Sequence, residues 1–209
     1  MKIVIFDMDG TLIDSKKDIT LSINHIRNLH YNLPPLEESF VVEAINQGVR
    51  NLPKLFYETE VYEESDRAVF EVHYKEQCTK NPYLYDGVHE TLHKLKEADV
   101  KLSVATNAPT IFAQTMLSHL EVDHLFDVII GADKVSASKP SPEMIHEILN
   151  HYRYDKSRDL AWMVGDNSKD IQSAQNANID ALFATWGFSP ETEHEKIVQT
   201  PHEILSIVL

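Results

Sequence analysis

The pattern of apolar and polar positions changes period twice along this chain. Lys2-Ile3-Val4-Ile5-Phe6 is a short apolar run rich in β-branched residues, which predicts a buried strand. After Ser15 the apolar positions take a helical period, with Ile19, Ile23, Ile26 and His30 on one face. Leu33-Pro34-Pro35 stops that helix. A second helix carries Leu36, Phe40, Val41, Ala44 and Ile45 on its apolar side and breaks at Asn46-Gln47-Gly48. Val49, Leu52, Leu55 and Phe56 predict a shorter third helix, and an acidic fourth covers Glu64 to Thr79. The block contains no convincing strand pattern and ends at Asn81-Pro82, a hinge signal.

From Tyr83 onward strand and helix patterns alternate. Strands are expected at 101–107, 128–131, 160–165 and 179–184. Helices are expected from Val88 to Ala98, Pro109 to His119, Glu143 to Tyr152 and Asp170 to Ala177, with a short one in the tail from Pro201 to Leu209. This alternation implies right-handed crossovers and a mainly parallel sheet. The first strand must join the later ones to bury both of its faces. The expected fold is α/β, with a Rossmann-like parallel sheet flanked by helices built from residues 1–15 and 82–209. Residues 16–81 form a helical insert after the first strand.

Composition narrows the possible partners. The chain has 209 residues, 43% of them hydrophobic, enough to bury a core. Its net charge of −14 disfavours nucleic acid and anionic membrane surfaces, without excluding a local pocket for a small anion. Cys78 is the one cysteine, so no disulfide can form within the chain and the reducing cytoplasm is the expected home. The apolar run after Lys2 is too short for a signal peptide, and none approaches the roughly 20 residues of a membrane span.

Four polar clusters fall at predicted strand or loop ends: Asp7 and Asp9 before Gly10-Thr11, Thr106-Asn107, Lys139, and Asp166 with Asp170. In a parallel sheet such ends share one edge, where open α/β sheets bind ligands. Several carboxylates together favour a hard divalent cation, most plausibly Mg²⁺. A lysine offsets negative charge, a hydroxyl and an amide can bind phosphate oxygens, and the Gly10 turn presents N–H groups to an anion. Phosphoryl transfer needs this mixture, because charge on the transferring group must be neutralised and the nucleophile held in line. Each cluster also has a plainer reading. Thr106-Asn107 can be a turn and cap before Pro109, and Lys139 a solvated lysine. Ser168 can cap a helix, with Asp170 as its first-turn acid.

The order of these clusters resembles that of the haloacid dehalogenase-like hydrolase superfamily. Its first motif matches Asp7-x-Asp9-Gly10-Thr11, and its second, an apolar strand ending in Ser or Thr, matches Leu102 to Thr106. The third matches Lys139-Pro140-Ser141-Pro142, and the fourth Gly165-Asp166-Asn167-Ser168-Lys169-Asp170. The resemblance implies that Asp7 is the nucleophile and forms an aspartyl-phosphate, while Asp9 serves as general acid and then general base. It implies Mg²⁺ bound by Asp7, the Asp9 carbonyl and Asp166, with Asp170 in support. Gly10, Thr106, Asn107 and Lys139 are then the phosphate-binding residues, and Lys139 also restrains Asp7. The dehalogenases lack the second aspartate, so Asp9 favours phosphoryl chemistry.

The helical insert is similar to the cap of phosphoglycolate phosphatase-like members, which closes over the site and selects substrate. Asn46-Gln47-Gly48-Val49-Arg50 occupies the place of a substrate-facing loop, with Asn46 where relatives carry a glycine. Arg50 is either an anion-binding residue or a solvated helix arginine. The resemblance implies a cytoplasmic, Mg²⁺-dependent phosphatase, monomer or homodimer, acting on a small phosphorylated metabolite with phosphoglycolate the leading candidate. The rivals are a sugar phosphomutase and, further off, a non-catalytic metabolite-binding protein of the same fold.

Overall fold

Lys2–Phe6 forms β1, the buried strand predicted from its apolar run. The computed structural model describes residues 1–46, 51–189 and 192–209, and these divide into two compact units. One comprises Met1–Ile13 and Leu84–Leu209, the other Asp14–Tyr83.

Along the chain, β1 is followed by the two-residue strand β2 (Ile13–Asp14). The helices α1 (Lys16–Tyr31), α2 (Glu38–Asn46), α3 (Leu52–Tyr57) and α4 (Glu64–Gln77) come next. Then come β3 (Tyr83–Leu84), α5 (Val88–Glu97), β4 (Lys101–Thr106), α6 (Thr110–His119) and β5 (Val128–Gly131). The last stretch holds α7 (Glu143–His151), β6 (Leu160–Gly165), α8 (Ser168–Asn176), β7 (Asp180–Ala184), β8 (Ile197–Val198) and α9 (Glu203–Val208).

The larger unit is built on a six-stranded sheet in the order β5-β4-β1-β6-β7-β8. Every neighbouring pair in it is parallel. Successive side chains of a strand point to opposite faces, so a strand covered on both sides reads as continuous apolar sequence. Ile3 and Ile5 pack with Met163, Phe183 and the α7 residues Met144, Ile145 and Ile148. Val4, Phe6, Val104 and Val164 point to the opposite face and are also buried.

The smaller unit packs α1 against α2, α3 and α4 around Ile23, Ile26, Val41, Ala44, Phe56 and Tyr57. Buried polar groups tie its helices and loops together. Asp18 accepts from Gln77 Nε2 at 2.7 Å and from Asn81 Nδ2 at 2.6 Å. Asp66 bonds His30 Nδ1 at 2.6 Å and accepts from the Tyr31 hydroxyl. Arg27 Nε donates to Pro34 O at 2.8 Å.

Some local readings change. Phe40 lies on the open side of α2, 39% exposed, because the buried stripe of that nine-residue helix runs through Val41 and Ala44. His30 turns to a carboxylate partner rather than an apolar neighbour. The helix expected at Asp170 begins at Ser168, and Asn167 rather than Ser168 caps it. The strands β2, β3 and β8 have two residues each, too few for an alternation signal. Val49 lies outside the described residues. Among the described residues, no helix is long and apolar enough to cross a membrane.

Ile5 is fully buried and packed within the sheet core. The substitution Ile5→Ala is expected to lower unfolding free energy by about 2–5 kcal/mol through lost burial and a residual cavity. Urea denaturation measures it, and a loss below about 0.5 kcal/mol, the range of surface substitutions, would contradict the packing described.

Candidate active site

The parallel register converts distant sequence into neighbouring strand ends. Phe6 stands beside Val104 of β4 and Val164 of β6, so Asp7, one residue on, lies level with Ala105 and Gly165. The Asp7 backbone N–H donates to Val164 O at 2.8 Å, which holds Asp7 against β6 one residue past the end of β1. Asp166 follows β6 directly, and Asp170 stands in the first turn of α8.

Lys139, in the segment before α7, reaches into this group. Its Nζ donates to Asp7 Oδ1 and Asp170 Oδ1, both at 2.6 Å, and to Ala105 O at 2.7 Å. Three acceptors match the three hydrogens of an ammonium. Asp170 also works locally, since its Oδ2 accepts from Asn167 N at 3.0 Å while the Asn167 side chain accepts from Lys169 N at 3.1 Å. This reciprocal capping box fixes the first turn of α8 and aims the other Asp170 oxygen at Lys139. Asp170 thus serves its own helix with one oxygen and meets Lys139 with the other.

Asp166 is held differently. Its Oδ1 accepts from Thr11 Oγ1 at 3.3 Å and its Oδ2 from the backbone N–H of Phe188 at 2.6 Å. Gly10 adopts φ +84°, and a Cβ there would collide with the Asp166 carboxylate. Glycine thus supplies both a left-handed turn and a close approach at this position.

Electrostatics separate these groups. Burial alone would depress the Lys139 ammonium, but Asp170 and Asp7 outweigh it and hold its pKa above the ordinary lysine value. Burial pushes the Asp166 carboxyl well above the usual range, and the charges of Asp7 and Asp170 push it further. Asp170 is raised by burial and by Asp7, with Lys139 opposing. Asp7 is 8% exposed, whereas Asp166 and Asp170 are 1% exposed each, so Asp7 is the most accessible of the three.

Oxygens of Asp7, Asp166 and Asp170 lie within 4.8 Å of one another, the one such grouping among the described residues. Fully ionised, three carboxylates against one ammonium leave two negative charges in a buried space. An all-oxygen donor set with that excess suits a hard divalent cation.

Of the other expected site residues, Asn107 contacts the backbone of Lys139: Nδ2 donates to its O at 3.1 Å and Oδ1 accepts from its N at 2.9 Å. Thr106 ends β4, and its Oγ1 accepts from Ala108 N at 3.1 Å. Asp9 lies outside the carboxylate triad, and its backbone bridges to Ile13. Arg50 lies outside the described residues. Thr11 and the Trp186–Phe188 segment were not among the expected site residues. The available signal for the latter was one glycine between two aromatics after the last predicted strand.

Comparison with known proteins places this geometry among relatives. The sequence model for the haloacid dehalogenase-like hydrolase family matches residues 4–184. The chain is 31% identical over 202 residues to a phosphoglycolate phosphatase of Colwellia psychrerythraea, covering 90% of this chain and 86% of the relative. It is 30% identical over 217 residues to an N-acetylmuramic acid 6-phosphate phosphatase of Pseudomonas aeruginosa, covering 100% and 95%. The crystal structure of a predicted phosphoglycolate phosphatase from Haemophilus somnus superposes with a TM-score of 0.85 at 28% identity, covering 100% of this chain and 98% of that one.

Replacing the central cation isolates its contribution. Lys139→Met leaves the buried carboxylates without their ammonium and is expected to cost about 3–5 kcal/mol of stability in chelator. Millimolar Mg²⁺ should restore part of that loss, because ligand binding to the folded state stabilises it. Denaturation with and without Mg²⁺ measures both effects, and equal stability of variant and parent in chelator would contradict the charge balance described.

Proposed function

The chain belongs to the haloacid dehalogenase-like hydrolase family and is a phosphatase, and we propose that it hydrolyses a small phosphorylated metabolite with Asp7 as its nucleophile. The observation that carries this reading is the placing of one buried ammonium between Asp7 and Asp170, with Asp7 the more accessible acid.

The chemistry follows from the side chains. Asp7 attacks phosphorus and forms an aspartyl-phosphate as the bond to the leaving oxygen breaks. Asp9 protonates that oxygen, releasing the alcohol, and then takes a proton from the water that attacks the phosphorus of the aspartyl-phosphate. That second attack frees inorganic phosphate and regenerates Asp7. Lys139 keeps one Asp7 oxygen fixed through both steps. Thr106 accepts from Ala108 N, so its own hydroxyl hydrogen can donate to a phosphate oxygen. Asn107 holds the Lys139 backbone, and its second amide hydrogen adds a donor. The Gly10 turn, expected to bind phosphate, spends its N–H groups internally, Gly10 N on Ile13 O at 2.9 Å and Thr11 N on Met8 O at 3.2 Å, so Gly10 serves by its close approach to Asp166 instead. Asp7, Asp166 and the Asp9 carbonyl, with Asp170 in support, would hold Mg²⁺, which supplies positive charge against the phosphate oxygens.

Two relatives suggest two leaving groups. Phosphoglycolate comes first, supported by the Colwellia relative, and a sugar 6-phosphate comes second, supported by the full-length match to the Pseudomonas enzyme. We assign the choice between them to the helical unit, Asp14–Tyr83, as a cap of the phosphoglycolate phosphatase-like kind, with Arg50 binding the substrate carboxylate.

Phosphate release from phosphoglycolate, N-acetylmuramic acid 6-phosphate, other sugar phosphates and nucleotides, compared as kcat/KM, identifies the substrate. Steady release of inorganic phosphate is expected, and phosphoryl transfer between sugar positions without release would mean a mutase. Asp7→Asn should lower kcat by more than about 10³-fold with the fold retained, and unchanged turnover would remove Asp7 from the chemistry. Arg50→Ala should raise KM for phosphoglycolate by about 10-fold while leaving a phosphate ester without a second anion within about 2-fold. Equal effects on both would exclude Arg50 as the carboxylate partner.

A further inference from the structure

Asp166 sits at the heart of the acid cluster, yet its described hydrogen bonds come from neutral donors. Lys139 serves Asp7 and Asp170. The shortest of those neutral bonds comes from the backbone of Phe188, on the segment that follows β7. We propose that Trp186-Gly187-Phe188 is a positioning clamp for Asp166, setting the direction in which its carboxylate faces a bound divalent cation.

Three contacts build the clamp. Phe188 N–H donates to Asp166 Oδ2 at 2.6 Å, a short bond of the charge-assisted kind. Trp186 Nε1 donates to Thr11 O at 3.0 Å, tying the segment to the turn after the nucleophile. Thr11 in turn donates through Oγ1 to the other Asp166 oxygen at 3.3 Å, so both oxygens are held within one connected set. Gly187 lies between these anchors. A Cβ there would collide with Gly10 O and stand 2.5 Å from both the Asp166 Cβ and Oδ2. Any side chain at 187 must therefore push the segment away from Asp166, and the Phe188 N–H would move with it. The segment is itself seated on the sheet, since Thr185 N donates to Val198 O at 3.1 Å.

Groups that orient a metal ligand through a hydrogen bond govern affinity: their loss costs about 10- to 100-fold in metal binding. Gly187→Ala keeps every carboxylate and is expected to weaken divalent binding by that factor. The inference rests on the reading of Asp166 as a cation ligand, and Asp166→Asn tests that reading separately. Mn²⁺ serves as the probe, its free concentration read by electron paramagnetic resonance in the full chain, with no substrate present.

The expected pattern is binding reduced by about 10- to 100-fold in Gly187→Ala and by more than that in Asp166→Asn. At saturating Mg²⁺ the kcat of Gly187→Ala should return to within about 3-fold of the parent, with the defect confined to the Mg²⁺ concentration needed for half-maximal rate. Ile5→Ala, a destabilised core variant, should bind Mn²⁺ as the parent does, which separates positioning from general loss of stability. Trp186→Phe removes the indole donor and keeps an aromatic ring; it should weaken binding by a few-fold, and it decides the matter if Gly187→Ala does not fold. Parent-like affinity in Gly187→Ala alongside lost affinity in Asp166→Asn would overturn the clamp and leave the site assignment standing. Parent-like affinity in Asp166→Asn would overturn both.

Discussion

One buried ammonium holds the active-site geometry together. Lys139 bonds to Asp7 from the end of β1, to Asp170 from the first turn of α8 and to the carbonyl of Ala105 in β4. These groups lie far apart in sequence and meet only because the parallel register sets the strand ends at one edge. Buried carboxylates repel one another and resist leaving water; a single cation among them reduces both costs without cancelling the charge. The remaining negative charge, on oxygens alone, suits the site to a hard divalent ion. The same arrangement leaves Asp7 slightly open while its neighbours are sealed. Accessibility, rather than residue type, thus distinguishes Asp7 from the two acids beside it.

Chain segments differ in how plainly their sequence announces them. β1 was legible because a strand buried on both faces must be continuously apolar. Asp7, Lys139, Asp166 and Asp170 were legible because each sits at the end of a strong local pattern, which converges once the sheet is parallel. Residues without such local markers were harder to read. Trp186 and Phe188 act through an indole N–H and a backbone N–H, and only a tertiary contact reveals them. Asn167 captures the cap of α8 through a reciprocal bond with Asp170, a competition that single-residue preference cannot rank against Ser168. Phe40 was misread because a nine-residue helix fixes the angle of its apolar stripe only loosely, so one flanking aromatic is easily put on the wrong side. Asn107 was read from its place at a strand end, and its side chain bonds the Lys139 backbone, a tertiary contact that its sequence neighbours do not announce.

The two units solve the problem of small size differently. The sheet unit relies on apolar continuity, with long runs of fully buried aliphatic side chains on both faces of β1. The helical unit has a smaller apolar cluster and places Asp18, Arg27 and Asp66 in its interior. Each of these meets specific partners, Gln77 and Asn81, Pro34, and His30 and Tyr31. A satisfied buried polar group adds little net stability but penalises any packing that breaks it. Such groups define which helix meets which where apolar surface alone would leave several packings close in energy.

The division of labour among the three acids also follows from charge. A second lysine beside Asp166 would halve the net negative charge of the ionised acid cluster and compete with a cation for the same oxygens. A neutral N–H or O–H does the opposite: it orients the carboxylate and leaves its charge for the metal. Asp166, whose described partners are Thr11 and the Phe188 backbone, is oriented by neutral donors, while Asp170 is committed to Lys139 and to its own helix. Glycine at 10 and at 187 is the steric condition for this arrangement. Two backbone segments must approach the same carboxylate, and a methyl group on either would prevent it.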